Sequence, residues 1–345
     1  MLVYICEYLT SGAWPHDQLL PASLVREGRA MLEAVVSDFL DIPGTRVCVT
    51  WDSRLPKPCP AHSRRDLIDI QEVERGKLFT GIFTQACDEA DQVLIIAPES
   101  DLQLLKLLQL QHPWQLNCDL DGVFVCSHKF STFDLLYANR ILTIPTLLFG
   151  KGNSFGRNEQ GDIESTVPEW TDMVLKLETG AGSQDMRRVR GPVSQLTRPD
   201  DRAWIVQPYI PGRALSVAAI FDDNSQLRQI WPVAEQHLSD DDTFQYQGGC
   251  IPAPSVSQPQ VDQIVRQVAT AIPGLRGYVG IDLILQENGE LLVVEINPRL
   301  TTSYVGYRAL AGRSLAPWLD PRNIPESYPP FAGFVRFDSA GMCWS

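Results

Sequence analysis

Residues 280–299 constrain the fold more than any other part of this sequence. Two apolar runs flank Asn288-Gly289, a pair typical of a two-residue β-hairpin loop, because a type I′ turn needs a positive φ at both positions. The register of such a loop places Asp282 directly opposite Glu295 on the neighbouring strand. We therefore predict a hairpin that brings these two carboxylates together.

The same hairpin predicts a cation site. Asn297 lies two residues beyond Glu295 and therefore on the same face of the sheet. Two carboxylates and an amide oxygen are typical ligands of a hard cation such as Mg²⁺. Arg299 follows on the next loop, where a guanidinium can hold phosphate or carboxylate. The alternative is an ordinary hairpin with a row of solvent-facing acids, since surface carboxylates are common.

Composition and charge argue against several classes of protein. The chain has 345 residues, enough for two or three domains, and its formal charge of −13 without a Lys/Arg cluster argues against nucleic acid or an anionic membrane as a partner. No apolar run is long enough to span a membrane, and the first residues lack the basic start of a signal peptide. The eight cysteines form no Cys-x-x-Cys pair, so we expect a protein of the reducing cytoplasm.

The first third of the chain alternates predicted strands and helices. Apolar runs predict buried strands at residues 2–6, 47–51 and 93–98, and helical spacing over residues 24–40 predicts a helix between the first two. This order is typical of an α/β domain with a parallel sheet. Ligands bind beyond the carboxyl ends of such strands. Glu7, Thr10 and Ser11 are therefore substrate-site candidates, and the alternative is a loop that satisfies its own backbone.

Two segments in the middle of the chain have the pattern of a nucleotide site. Lys176 ends a predicted strand, and the small residues after it can let backbone N–H groups approach phosphate oxygens. These small residues are Gly180, Ala181, Gly182 and Ser183. Further on, Gln207 can offer adenine a side-chain acceptor, Pro208 a backbone carbonyl and Ile210 a backbone N–H. The alternatives are a flexible turn after a strand-end lysine and a proline that ends a strand.

The order of these features resembles the ATP-grasp superfamily over roughly residues 110–320. The resemblance implies an α/β and α+β fold, with a Rossmann-like pre-ATP-grasp domain at residues 1–110 and a two-lobed ATP-grasp domain at residues 111–320. The first lobe is expected at about residues 140–210 and the second at about 211–320. Residues 321–345 would form a C-terminal extension with one strand.

The resemblance also implies a role for each site residue. Lys129, at the start of a predicted helix, and Lys176 would bind the ATP phosphates, and residues 180–183 would close over them. The Gln207 side chain, the Pro208 carbonyl and the Ile210 N–H would contact adenine. The expected ligands of two Mg²⁺ ions, with Mn²⁺ as a substitute, are Asp282, Glu295 and Asn297. Arg299 would hold the transferring phosphate or acyl phosphate, which makes it a catalytic residue together with Lys176.

A narrower resemblance, to the tyramine–glutamate ligase group of methanofuran biosynthesis, rests on residues 7–12, 97–99, 244–249 and 297–304. It implies an ADP-forming carbon–nitrogen ligase of cofactor biosynthesis that joins glutamate to tyramine or tyrosine through an acyl phosphate. The alternatives are another amino-acid or dipeptide ATP-grasp ligase, or an ATP-binding sensor without catalysis. The sensor alternative rests on Ala214, where many members carry a ribose-binding Glu. The expected partners are these small molecules, and a homo-oligomer is left open.

Overall fold

The computed structural model describes all residues except 59, 61, 111–113, 150–153, 158–162, 165–168 and 181–184, and it describes the backbone alone at residues 154–157 and 163–164. The described strands form three sheets. None of the described helices combines the length and the apolar character needed to cross a lipid bilayer.

The first sheet is parallel and comes from the first hundred residues. Its strands are β1 (Leu2–Glu7), β2 (Arg46–Asp52), β3 (Ile68–Val73) and β4 (Gln92–Ile96), in the order β3-β2-β1-β4. Helix α1 (Ala22–Asp41) follows β1, and α2 (Phe79–Glu89) precedes β4. Val3 packs with α1, whereas Tyr4 packs with α2, so both faces of the sheet are covered. The predicted Rossmann-like domain is confirmed, and β3 is a strand that the apolar pattern did not reveal, because most of its residues are only half-buried.

Among the described residues between the first sheet and the second, three α-helices are present. They are α3 (Gln103–Leu108), α4 (Leu120–Ser127) and α5 (Lys129–Ala138). Lys129 is the first residue of α5, as predicted. The side chain of Lys129 is buried although it lies at a helix terminus, which indicates that its ammonium points into the protein.

The second sheet is antiparallel. Its strands are β5 (Leu147–Phe149), β6 (Ser154–Arg157), β7 (Ile163–Glu164), β8 (Asp172–Leu177), β9 (Arg187–Arg190) and β10 (Trp204–Pro208), in the order β7-β6-β5-β10-β8-β9. Leu175 on β8 packs with Trp204 and Val206 in a small core. Because side chains alternate along a strand, Lys176 points to the opposite face of this sheet.

The third sheet has eight strands. They are β11 (Arg213–Phe221), β12 (Leu227–Ile230), β13 (Ala234–Leu238), β14 (Tyr246–Ile251), β15 (Gly277–Leu285), β16 (Leu291–Asn297), β17 (Val335–Asp338) and β18 (Cys343–Trp344). Helices α6 (Gln258–Ala271) and α7 (Ser303–Ala311) belong to the same region. The predicted C-terminal strand is present as β17, and it pairs with β14, so the C-terminal residues complete this sheet. We retain residues 1–110, 111–320 and 321–345 as proposed domain bounds.

Helices α1 and α7 join the first sheet to the third. The buried Asp38 carboxylate on α1 accepts hydrogen bonds from Tyr304 Oη and, at 2.6 Å, from Arg308 Nε on α7. Val35 of α1 and Tyr307 of α7 lie in one hydrophobic cluster. This shared core places the loops at the carboxyl ends of β1 and β4 beside the end of β16.

The hairpin loop between β15 and β16 differs from the predicted two-residue turn. Gln286 N–H donates to Glu290 O at 2.9 Å, and Gly289 N–H donates to Gln286 O at 3.0 Å, so the loop contains three residues. Gly289 has a φ of +85°, whereas Asn288 does not have a positive φ. This pattern is a type I turn followed by a left-handed glycine. The type I′ prediction is therefore wrong, and the extra loop residue moves the register by one.

A β-bulge further along the hairpin restores the predicted register. Leu283 pairs with Val293, whereas Asp282 pairs with Glu295, so Val294 has no residue opposite it. A bulge and a longer loop each shift the pairing by one residue, and here the two shifts cancel. The predicted opposition of Asp282 and Glu295 is confirmed, although through two irregularities and not through a regular ladder.

Candidate active site

The predicted cation ligands meet at the end of the β15–β16 hairpin. Asn297 Nδ2 donates to Asp282 Oδ2 at 3.1 Å, and Gln236 Nε2 from β13 donates to Asp282 Oδ1 at the same distance. Burial, followed by the charge of Glu295, raises the pKa of Asp282 to about 6. Two partly desolvated carboxylates opposite each other are costly without positive charge nearby. This donor set therefore fits a divalent cation.

Mg²⁺ at this position would need ligands besides the protein. The described part of the chain contains no group of three or more His, Cys, Asp or Glu side chains that could hold a metal ion. The hairpin offers two carboxylates and one amide oxygen, and Mg²⁺ commonly completes such a set with substrate phosphates and water. The residues present thus fit a metal that is held jointly with a nucleotide.

Two buried lysines supply the positive charge. Lys129 Nζ lies 3.7 Å from Glu295 Oε2, and Lys176 Nζ lies 4.0 Å from the same oxygen. Lys129 Nζ also donates to Gly180 O. Burial lowers the pKa of Lys176 to about 8, and Glu295 opposes that effect. The two ammonium groups come from neighbouring elements, α5 and β8, since Lys129 N–H donates to Glu178 O just after β8. Both ammonium groups lie where phosphate oxygens would meet a cation bound at the hairpin.

The residues predicted to contact adenine lie beside the two lysines and Glu295. Gln207 is buried, and its Nε2 donates to Thr146 Oγ1 at 2.8 Å, which leaves its Oε1 as an acceptor. Gln207 shares a small second cavity with Lys129 and Glu295. Pro208 is the last residue of β10, and Ile210 follows it. Of the predicted phosphate loop, Gly180 is buried beside Lys129, whereas Ala181, Gly182 and Ser183 lie outside the described residues.

Arg299 is bound by a carboxylate from the loop that follows β4. Arg299 Nε donates to Glu99 Oε1 and Arg299 Nη2 to Glu99 Oε2, both at 2.9 Å. Arg299 Nη1 donates to Leu300 O at 3.1 Å. Two parallel N–H···O bonds fix the plane of a guanidinium as well as its position. Glu99 belongs to the segment 97–99 quoted above, but no sequence signal connects it to Arg299.

A cavity of about 260 Å³ unites most of these groups. The predicted residues that line it are Lys129, Lys176, Gly180, Asp282, Glu295, Asn297 and Arg299. Residues that line it without having been predicted include Glu27, Gln236, Tyr246 and Thr302. Glu7 lines the cavity too, whereas Thr10 and Ser11 are occupied locally, since Thr10 Oγ1 donates to Glu7 and Ser11 Oγ to Tyr8 O.

Comparison with known proteins agrees with the fold and the predicted family. A family model of the ATP-grasp domain matches residues 126–303, and a model of the pre ATP-grasp 3 domain matches residues 45–119. The tyramine–L-glutamate ligases of Methanocaldococcus fervens and Methanocaldococcus jannaschii are 22% and 23% identical to this chain. Each alignment covers 89% of this chain, and they cover 89% and 85% of the two relatives. Both relatives are ligases by name, in agreement with the predicted ATP-dependent carbon–nitrogen ligase.

Solved structures have the same architecture. An ATP-grasp superfamily protein from Archaeoglobus fulgidus superimposes with a TM-score of 0.66 at 20% identity, over 98% of this chain and 92% of that one. The L-amino acid ligase from Bacillus licheniformis gives 0.63 at 16% identity, over 97% of this chain and 78% of that one. These likenesses confirm the predicted fold class. With the family model matching more than half of its residues, the chain belongs to the ATP-grasp family.

Proposed function

We propose that this protein is an ATP- and Mg²⁺-dependent carbon–nitrogen ligase that forms an amide through an acyl phosphate. The observation that carries the proposal is the convergence of two buried lysines, Lys129 and Lys176, on the hairpin carboxylate of Glu295. Positioned positive charge is the main requirement of phosphoryl transfer, because little covalent chemistry is asked of the protein. The described site offers that charge beside a set of oxygen donors suited to Mg²⁺.

The residues support a reaction in two steps. A substrate carboxylate oxygen attacks the γ-phosphorus of ATP, and the bond to the β-phosphate oxygen breaks to release ADP. Lys129 and Lys176 hold the phosphate oxygens, and Arg299 orients the transferring group. The amine nitrogen then attacks the acyl carbon, and phosphate leaves as the nitrogen loses a proton. Mg²⁺, when bound, neutralises phosphate charge, and the hairpin ligands Asp282, Glu295 and Asn297 would hold it.

The nucleotide would lie between the second and third sheets. Gln207 Oε1, the Pro208 carbonyl and the Ile210 N–H would contact adenine, and residues 180–183 would close over the phosphates. Exclusion of water by such a loop protects an acyl phosphate from hydrolysis. Ala214 lines the main cavity and offers no carboxylate to a ribose. We expect the lack of that contact to weaken ATP binding or to relax the choice of nucleotide, while the two lysines remain in place.

For the substrates, we propose glutamate as the carboxylate and tyramine or tyrosine as the amine. The relatives named tyramine–L-glutamate ligase support this choice, because they align with 89% of the chain. The neighbouring L-amino acid ligase from Bacillus licheniformis supports, as a second candidate, ligation of two amino acids. A cytoplasmic location, the absence of nucleic-acid and membrane partners, and the oligomeric state stay predictions.

The decisive experiment is phosphate release with ATP, Mg²⁺ and glutamate, with tyramine or tyrosine as the amine, followed by mass analysis of the product. We expect ADP and a glutamyl amide. An amide formed only with amino acids would favour the second candidate. ATP binding without turnover on any amine would contradict the ligase and favour the sensor alternative.

A further inference from the structure

One side of the cavity is built by the first sheet and by helix α1, away from the lysines. Glu27 and Leu24 of α1 line this side, and Thr302 closes it from the loop after β16. The Glu27 carboxylate accepts a hydrogen bond from Thr302 Oγ1 at 3.3 Å. It is the sole hydrogen bond to this carboxylate within the described residues, so most of its acceptor capacity faces the cavity.

The other carboxylates on this side are already satisfied. Glu7 accepts from Leu9 N–H at 3.1 Å, from Thr10 N–H at 2.9 Å and from Thr10 Oγ1 at 2.8 Å. The Glu99 carboxylate accepts hydrogen bonds from Nε and Nη2 of Arg299. A cation that enters this side of the cavity would therefore find its acceptor at Glu27.

The walls around Glu27 are apolar and aromatic. Leu24 and Met31 line the cavity from the same helix as Glu27, and Tyr246 lines it close enough for the charge of Glu27 to act on the Tyr246 hydroxyl. Aromatic rings favour ring-shaped apolar ligands through offset or edge-to-face contacts. A carboxylate surrounded by such walls suits a ligand that has a positive end and a flat apolar body.

We propose that this side of the cavity binds the amine substrate, with the ammonium of the amine on Glu27 and its aromatic body against the apolar walls. This inference rests on the proposed ligase function. Arg299 is close enough to Glu27 for its charge to act on that carboxylate, and close enough to Glu295 and Asp282 for their charges to act on Arg299. An amine held at Glu27 thus lies next to the guanidinium assigned to the acyl phosphate. Burial raises the pKa of Glu27 to about 7, a cost that a bound cation would offset.

Hydroxylamine separates amine binding from the ATP-dependent half of the reaction. It is small and uncharged at neutral pH, so it can trap the acyl phosphate as a hydroxamate without using a carboxylate on α1. We would measure tyramine-dependent amide formation and hydroxamate formation for wild type, Glu27→Gln and Glu33→Gln. Glu33 is the matched control, since it lies on the same helix and pairs with Arg29 at the surface.

We expect Glu27→Gln to raise the KM for tyramine at least tenfold, because charge-assisted hydrogen bonds are about twice as strong as neutral ones. Hydroxamate formation and the KM for ATP should stay at wild-type values. Tyramine should also inhibit hydroxamate formation in wild type and not in Glu27→Gln. Glu33→Gln should behave as wild type in every assay.

A Glu27→Gln enzyme that used tyramine with the wild-type KM would overturn the inference. Loss of hydroxamate together with amide would overturn it as well, since Glu27 would then act on the carboxylate or on ATP. A wild type that formed neither product would refute the ligase itself. If Glu27→Gln fails to fold, Thr302→Val provides a second test, because it removes the hydroxyl that donates a hydrogen bond to Glu27. We expect Thr302→Val to raise the KM for tyramine severalfold and to leave hydroxamate formation unchanged. An unchanged KM for tyramine would overturn the inference.

Discussion

Arg299 and Glu99 form a bidentate ion pair, with both N···O distances at 2.9 Å, between the loop after β16 and the loop after β4. The Arg299 side chain is 12% exposed and that of Glu99 is 2% exposed, so the ion pair is almost completely shielded from solvent. The guanidinium assigned to the transferring phosphate is therefore positioned by the pre-ATP-grasp sheet. The contact that joins the first sheet to the third is thus also the contact that orients the guanidinium proposed for catalysis.

Removing the partner of Arg299 should cost stability. In Glu99→Gln the buried guanidinium loses its counter-charge, and we expect the free energy of unfolding to fall by about 3 kcal/mol in urea titration. Glu74→Gln is the control, because Glu74 forms an exposed pair with Lys77 at 3.4 Å and should change stability by less than about 1 kcal/mol. Equal stabilities for the two variants would show that the pair contributes little.

Asn297→Ala should abolish turnover. The substitution removes a proposed oxygen ligand of Mg²⁺ and also the hydrogen bond of 3.1 Å that orients Asp282. ADP release at saturating Mg²⁺ measures the effect. Asn288→Ala, on the loop of the same hairpin, should keep wild-type turnover, and undiminished activity of Asn297→Ala would remove Asn297 from the metal site.

Lys176→Met should weaken ATP binding by about 10- to 100-fold, since a hydrogen bond to a charged group contributes about 1.5–3 kcal/mol. Methionine keeps most of the buried length of the side chain and removes its charge. Equilibrium titration with a non-hydrolysable ATP analogue measures the affinity. Lys77→Met, at an exposed position, should bind ATP as wild type does, and equal affinities for the two variants would place the phosphates elsewhere.

The three-residue hairpin loop predicts opposite effects for two glycine substitutions. A Cβ at Gly289 or at Gly81 would meet no atom within 4 Å, but Gly289 has a φ of +85° whereas Gly81 lies in α2. We expect Gly289→Ala to destabilise the protein by about 1 kcal/mol and Gly81→Ala to stabilise it by about 0.5 kcal/mol. Urea titration measures both, and a neutral Gly289→Ala would contradict the left-handed turn.

Glu27 should make stability depend on pH. Burial raises its folded pKa from 4.5 to about 7, so the folded state binds the proton more tightly than the unfolded state does. This contribution to stability is complete below the unfolded pKa and is lost as the pH rises through the folded pKa. The stability of wild type relative to Glu27→Gln should therefore fall between roughly pH 5 and pH 8, by at most about 1.4 kcal/mol per unit. A pH-independent difference between wild type and Glu27→Gln would contradict the raised pKa.

The sequence by itself determined the family and most of the residues that the cavity unites. Turn signals, apolar periodicity and the order of chemical groups are local properties of a chain, so the strands that carry Lys176 and Asp282 could be predicted directly. The opposition of Asp282 and Glu295 was predicted correctly from an incorrect loop. Loop length and the bulge at Val294 depend on backbone geometry that the pair Asn288-Gly289 does not specify alone.

Only the tertiary structure decided which distant residues complete the site. Glu99 and Arg299 are separated by 200 residues, Gln236 reaches Asp282 from β13, and Glu27 meets Thr302 across 275 residues. No periodicity links such positions, because their proximity comes from the packing of α1 against α7 and from the strand order of the third sheet. Local patterns thus specify the reacting groups, whereas the packing of the first sheet against the third specifies what orients Arg299 and where the proposed amine would bind.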